Sequence, residues 1–159
     1  MKIKTRYLLL TALAVYLLNA CNNEVQENTA DLEESTLGEV NTIDNVSMTA
    51  DSESVSPTGV TVIFENNSEQ QLIYSEDILL EESIEEQWYE LPVTLSGDYG
   101  YEDIGYEVDS GEESSMAINW EWLYGDLDEG YYRIAKRVLD FRGTGDFDEH
   151  TLTAEFEID

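Results

Sequence analysis

Trp120-Glu-Trp-Leu-Tyr-Gly-Asp-Leu-Asp-Glu-Gly-Tyr-Tyr-Arg-Ile-Ala-Lys-Arg-Val138 decides the fold. It reads as the end of one strand, a tight corner and the start of a second strand. Asp128 is a turn-making acid, Gly130 is free to take positive φ, and the hydroxyl of Tyr132 can reach back to the backbone of the corner. This is the logic of a tyrosine corner, which ties down the connection between the two sheets of a β-sandwich. All three residues therefore read as structural.

Short alternating runs separated by turn residues extend outward from the corner in both directions, the pattern of an all-β chain. On the upstream side, Ser114 to Leu123 is expected to be one strand with Met116, Ile118, Trp120 and Trp122 on its buried face. Downstream, Tyr131 to Phe141 and Thr151 to Ile158 read as strands, joined by a loop from Arg142 to His150. In the last strand Leu152, Ala154, Phe156 and Ile158 face in, and Thr153, Glu155 and Glu157 face out. Earlier strands are expected at Asn45 to Ala50, around Val60, Val62 and Phe64, at Gln71 to Tyr74, Asp77 to Glu82, Gln87 to Leu91 and Ile104 to Val108. Asn66-Asn67-Ser68 and Ser110-Gly111 are turns, and Thr94 to Asp103 is the irregular segment most suited to a loop. No helix of ordinary length is expected in this part of the chain.

Phe64-Glu-Asn-Asn-Ser68, Trp88-Tyr-Glu-Leu-Pro92, Tyr124-Gly-Asp-Leu-Asp-Glu-Gly-Tyr-Tyr-Arg-Ile-Ala-Lys136 and Ala154-Glu-Phe-Glu-Ile158 together resemble a bacterial immunoglobulin-like domain family found in exported proteins and lipoproteins of Gram-positive bacteria. The resemblance covers roughly Asn45 to Asp159. It implies an immunoglobulin-like antiparallel β-sandwich of about seven strands, and it implies no catalytic residues.

The first 20 residues do not belong to that domain. Lys2, Lys4 and Arg6 precede an apolar run, Tyr7 to Leu18, that is short for a membrane-spanning helix and right for a secretory signal. It ends in Leu18-Asn19-Ala20-Cys21, which resembles the lipobox of bacterial lipoproteins. The resemblance implies cleavage before Cys21, lipidation of its thiol and residence on the outer face of the bacterial cell membrane. Two acyl chains hold stably where one is marginal, since each buried methylene contributes about 0.8 kcal/mol. Cys21 is the only cysteine, so the domain must stand without a disulfide. Residues 21–43 read as an acidic disordered linker, too polar to offset chain entropy, with a coil dimension near 25 Å, about what lifts a domain off the lipid. The domain itself is expected over 44–159.

Cleavage removes three of seven basic residues and leaves four Lys+Arg against 36 Asp+Glu, a formal charge of −32. Nucleic acid is repelled by such a chain. Catalysis has little to work with: the single histidine, His150, lies in an expected loop, and no G-x-S-x-G nucleophile elbow occurs. Abundant carboxylates favour Ca²⁺ over zinc as a metal, with Asp126/Asp128, Asp146/Asp148/Glu149 and Asp98/Glu102/Asp103 as acidic groups, none of them in the EF-hand spacing. Solvated turn acids are the default reading, and no cofactor is required.

Two features bear on binding. Arg133, Lys136, Arg137 and Arg142 are the only basic residues after the signal. Alternation puts Arg133 and Arg137 on an outer face, where they either pair with Glu155 and Glu157 across the sheet or form an anion site. The same alternation points Lys136 inward, so either a bulge turns it out or its stem is buried and its ammonium meets a carboxylate or leaves at the sandwich edge. Tyr99 and Tyr101, beside acids in the loop Gly97 to Asp103, suit contact with a sugar or a protein. The expectation is a lipid-anchored, non-catalytic interaction or spacer module engaging an unidentified protein or glycan. The alternative is a wall-polysaccharide or small-solute binding lipoprotein, with or without a dependence on Ca²⁺.

Overall fold

Period-2 alternation becomes strand along nearly all of the chain. The computed structural model describes residues 32–159. The expected signal sequence, Cys21 and the first part of the expected linker lie outside the described residues. The strands are β1 (Glu33–Glu34), β2 (Val46–Ala50), β3 (Gly59–Asn66), β4 (Gln71–Tyr74), β5 (Leu79–Ile84), β6 (Gln87–Glu90), β7 (Tyr106–Val108), β8 (Glu112–Asn119), β9 (Gly130–Gly143) and β10 (Asp146–Ile158), with a single helical turn, α1 (Glu121–Tyr124), before the corner.

Two antiparallel sheets pack face to face. One has seven strands in the order β1-β6-β5-β9-β4-β7, with β10 pairing the other edge of β9; the second is β2-β3-β8. Val60, Val62 and Phe64 of β3 are buried against Leu72, Tyr74, Leu80, Ile134, Val138 and Leu152 of the larger sheet. Aromatic rings knit the layers: Phe64 stacks on Tyr74 at 4.1 Å, and Phe156 lies between Trp120 at 5.5 Å and Tyr132 at 5.9 Å. The Trp120 indole is fully buried and donates to the Pro57 carbonyl at 2.9 Å, which answers the polar demand of a buried tryptophan.

Among the described residues there are ten strand segments, where the family resemblance implied about seven. One reason is a broken strand. β4 pairs with β9 at Val138–Phe141 and β5 pairs with the same edge at Tyr132–Ala135, so the two are collinear pieces separated by Ser75–Ile78. The interruption faces Lys136 and Arg137. A second reason is β1, where Glu33 and Glu34 pair with Glu90 and Tyr89. Residues 32–43 of the expected linker thus run along the sandwich. Asn41 continues this attachment, its side chain bonding the Thr153 hydroxyl at 3.0 Å and the Thr153 amide at 2.8 Å. Thr153 does face outward, as its alternation requires, yet this cover leaves it buried.

Two further expectations are corrected. β8 stops at Asn119, and α1 follows, so Trp120 and Trp122 do not share a face: Trp120 is buried and Trp122 is 45% exposed. Gly125 closes α1 with φ 80°, a value that suits glycine. The expected loop 142–150 is instead a long hairpin, with β10 in register with β9 from Phe147 opposite Phe141 onward. Alternation for Lys136 holds without a bulge beside it, since the β9–β10 register is continuous past Leu152 opposite Lys136 and shifts only at Asp146/Phe147.

Candidate functional site

The corner is made as its spacing requires. Tyr132, buried beside Phe156, donates its hydroxyl to the Asp128 carbonyl at 3.0 Å. Gly130 is needed for a reason other than positive φ: a Cβ there would sit 2.9 Å from the Tyr132 hydroxyl oxygen and 3.0 Å from two ring carbons. The ring lies over the glycine, and close approach selects it.

Arg133 lies on the outer face of the large sheet but is not available to a ligand. Its guanidinium Nε donates to Glu81 Oε2 at 2.5 Å, its Nη2 to the Ser35 hydroxyl at 3.2 Å, and its Cζ sits 4.4 Å from the centre of the Trp88 ring. Glu155, opposite Arg133 in register, accepts instead from the Tyr131 hydroxyl. That bond, with burial adding to it, pushes the Tyr131 phenol up. Glu81 is fully buried, and its other oxygen has no hydrogen-bond partner. Trp88, β1 and Ser35 roof this ion pair, so neither the exposed cross-strand pair nor an anion site is formed at Arg133. The partner was not legible because Glu81 and Arg133 are 52 residues apart and meet only through the β5–β9 register.

Lys136 and Arg137 clasp the strand break from opposite faces. Lys136 Nζ, on the buried face, donates to the Ser75 carbonyl and lies 3.9 Å from Met116 Sδ and 5.8 Å from the Tyr74 ring centre. Its partner is a backbone carbonyl, where a carboxylate or an exit to solvent was expected. Burial pulls its pKa down to about 8, partly offset by the charges of Asp77 and Glu76. Arg137, on the open face, has Asp77 at 3.8 Å and Glu149 at 4.0 Å and remains more than half exposed. It lines a groove of about 320 Å³ with Asp103, Ile104 and Phe147.

The loop after β6 returns to the same break. Tyr99 and Tyr101 meet at 6.3 Å and 90°, and Trp122 joins them at 6.2 Å from Tyr99 and 5.8 Å from Tyr101, with interplanar angles of 73° and 76°. Tyr99 is 47% exposed; Tyr101 is half-buried, and burial pushes its phenol up to about 12. Tyr101 and Trp122 border a cleft of about 190 Å³ with Glu76, Met116 and Asn119. Glu76 Oε1 accepts from the Tyr106 hydroxyl at 2.9 Å. The structure therefore brings Tyr99 and Tyr101 together and adds Trp122 and Glu76, which sequence reasoning left out. Trp122 had a signal: Trp120, Leu123 and Tyr124, followed by Gly125, have the i, i+3, i+4 spacing and the terminal glycine of a helical turn.

The acidic groups weighed as calcium ligands are partly spoken for. Arg142 reaches Asp140 at 3.2 Å, Asp146 at 3.0 Å and Asp148 at 3.0 Å, so a guanidinium occupies the centre of that cluster. The bonds to Asp146, foremost, and to Asp148 raise its pKa. Among the described residues, no group of three or more His, Cys, Asp or Glu is placed to hold a metal ion. His150 Nδ1 lies 3.0 Å from the Thr42 hydroxyl. Among the described residues no helix is long and apolar enough to cross a membrane.

Two packed antiparallel sheets joined through a tyrosine corner define an immunoglobulin-like β-sandwich. More narrowly, the chain belongs to the family of bacterial Ig-like domains, whose model matches residues 42–157. Such domains are typically non-catalytic, and no enzyme family matches. No curated protein and no solved structure matches the chain.

Proposed function

We propose that this protein is a lipid-anchored module on the outer face of the bacterial cell membrane, binding a partner there without chemistry of its own. Membership of the bacterial Ig-like family supports the non-catalytic part. The lipobox-like Leu18-Asn19-Ala20-Cys21 supports the anchor. One observation carries the interaction: Tyr99, Tyr101 and Trp122 form a contiguous cluster beside a strand break, with Tyr99 and Trp122 nearly half exposed, and contiguous exposed apolar surface marks interaction sites. Aromatic side chains lose little entropy on binding and supply large contact area, as hot-spot residues do. The cleft beside them favours a second form of the same reading, in which the partner is a small solute or a wall polysaccharide.

The two halves are tested separately. Metabolic labelling with a fatty-acid analogue should mark the wild-type chain and leave Cys21→Ala unmarked; label on the variant contradicts the anchor. Replacing Tyr99 and Tyr101 together by Ala should abolish binding on a glycan array or in capture from an envelope extract, in a variant shown by circular dichroism to stay folded. Unchanged binding contradicts the assigned surface.

A further inference from the structure

The geometry points to an organic ammonium ion, a compact cation on a short apolar stem, as the ligand of the cleft between Trp122, Tyr101 and Glu76. This deepens the preceding reading and rests on it. Three observations narrow the chemistry. The aromatic wall of the cleft is Trp122 and Tyr101, whose ring centres lie 5.8 Å apart at 76°. Ring faces attract a cation, most strongly that of Trp.

The second observation is the charge. Glu76 is the one carboxylate bordering the cleft, no Lys, Arg or His borders it, and the rest of its lining is Ile78, Met116, Ala117, Ile118, Asn119 and the two rings. The Tyr106 hydroxyl holds Glu76 Oε1, which orients the carboxylate and costs it no charge. A carboxylate at the end of an aromatic and thioether lining complements a cationic head with methyl or methylene groups around it, and the thioether of Met116 is the most adaptable apolar surface available.

The third is the position of the opposing charge. Lys136 Nζ lies behind Met116, 3.9 Å from its sulfur, and is turned to the Ser75 carbonyl and the Tyr74 face. Asp77, on the same break, adds a further negative charge and pairs with Arg137 at only 3.8 Å. With four basic residues against 36 acidic ones after the signal, long-range attraction also favours a cation.

The test is a titration of the ¹⁵N-labelled full exported chain, read at the Trp122 indole resonance, with choline, with Nα-acetyl-lysinamide and with 3,3-dimethylbutanol, the uncharged isostere of choline. Choline and the lysine derivative should shift the resonance saturably, with the isostere at least about tenfold weaker and a folded Glu76→Gln variant binding choline about tenfold more weakly. Tighter choline marks a methylated solute as the source; tighter lysinamide marks a lysine side chain of a protein. Equal binding of the uncharged isostere, a Glu76→Gln variant that folds and binds choline unchanged, or no shift with any probe overturns the proposal. If no ammonium probe binds yet replacing Tyr99 and Tyr101 still abolishes partner capture, the ligand class falls and the interaction surface stands.

Discussion

Arg133 and Tyr132 are neighbours on β9 with opposite dependences. The Tyr132 hydroxyl makes a neutral bond to the Asp128 carbonyl, so Tyr132→Phe should cost about 0.5–1.5 kcal/mol in denaturant unfolding and leave any binding intact. Arg133 neutralises a fully buried Glu81. Arg133→Met strands that carboxylate and should cost about 3–5 kcal/mol, whereas Arg133→Met combined with Glu81→Met should recover most of it. A single-variant cost near that of an exposed ion pair would contradict the buried reading. Lys136 sets the pH dependence. Folded, it loses its proton near pH 8, below the value of about 10.4 of a free lysine. Between the two the unfolded chain binds more protons, so stability should rise with pH from about 8 to about 10. Above that it should fall, because Tyr101, pushed up to about 12, and Tyr124, also raised by burial, keep protons that unfolded tyrosines lose. Lys136→Met should abolish the rise, and at neutral pH it should be neutral or stabilising by up to about 2 kcal/mol, since the ammonium's bonded partner is a neutral carbonyl. A loss of more than about 3 kcal/mol would instead indicate a buried anion left unpaired.

Among elements, the β5–β6 hairpin carries avoidable strain. Glu85 and Glu86 link Ile84 to Gln87 with φ 52° and 68°, left-handed values that cost an ordinary residue about 1–2 kcal/mol. Glu86→Gly should therefore raise the unfolding free energy by about 1 kcal/mol, and no gain would show that the turn relaxes otherwise. Most elements were legible because β3 and β10 bury one face and alternate strictly, as Val60, Val62, Phe64 and Leu152, Ala154, Phe156, Ile158 show. The misread elements obey longer-range terms. Trp122 continues an alternating run, but the helical turn after Asn119 rotates it to the surface. The stretch 142–150 looked like a loop through its charge, and Arg142 neutralises Asp140, Asp146 and Asp148 so that a hairpin forms. Residues 33–41 looked too polar to pack, yet they do so by backbone pairing and through Asn41, gains that hydrophobicity does not register. The candidate site was half legible for the same reason. Tyr99 and Tyr101 announce themselves beside glycines, while Glu76 and Trp122 reach them only through the fold.

Taken whole, the sandwich separates its duties. The corner ties the layers together, and the roofed ion pair and the polar strap of residues 33–41 brace the outer face of the larger sheet. The broken strand β4–β5, opposite Lys136 and Arg137, opens another flank, where Tyr101 packs against the core and Tyr99 and Trp122 reach solvent. On the proposed reading, an acidic surface disfavours nucleic acid and anionic lipid, and a partner gains its apolar contact at that cluster. Tyr131 is a fair comparison, 43% exposed, packed 5.9 Å from Trp88 and bonded to Glu155 on the flank assigned to stability. The most direct measurement places a photo-crosslinking residue at position 99 or at position 131 of the full chain in living cells. Position 99 should crosslink to an envelope component, and that adduct should vanish when Trp122→Ala is added. Crosslinking from position 131 alone, or an adduct at 99 indifferent to Trp122, would contradict the assignment of the aromatic cluster as the binding surface.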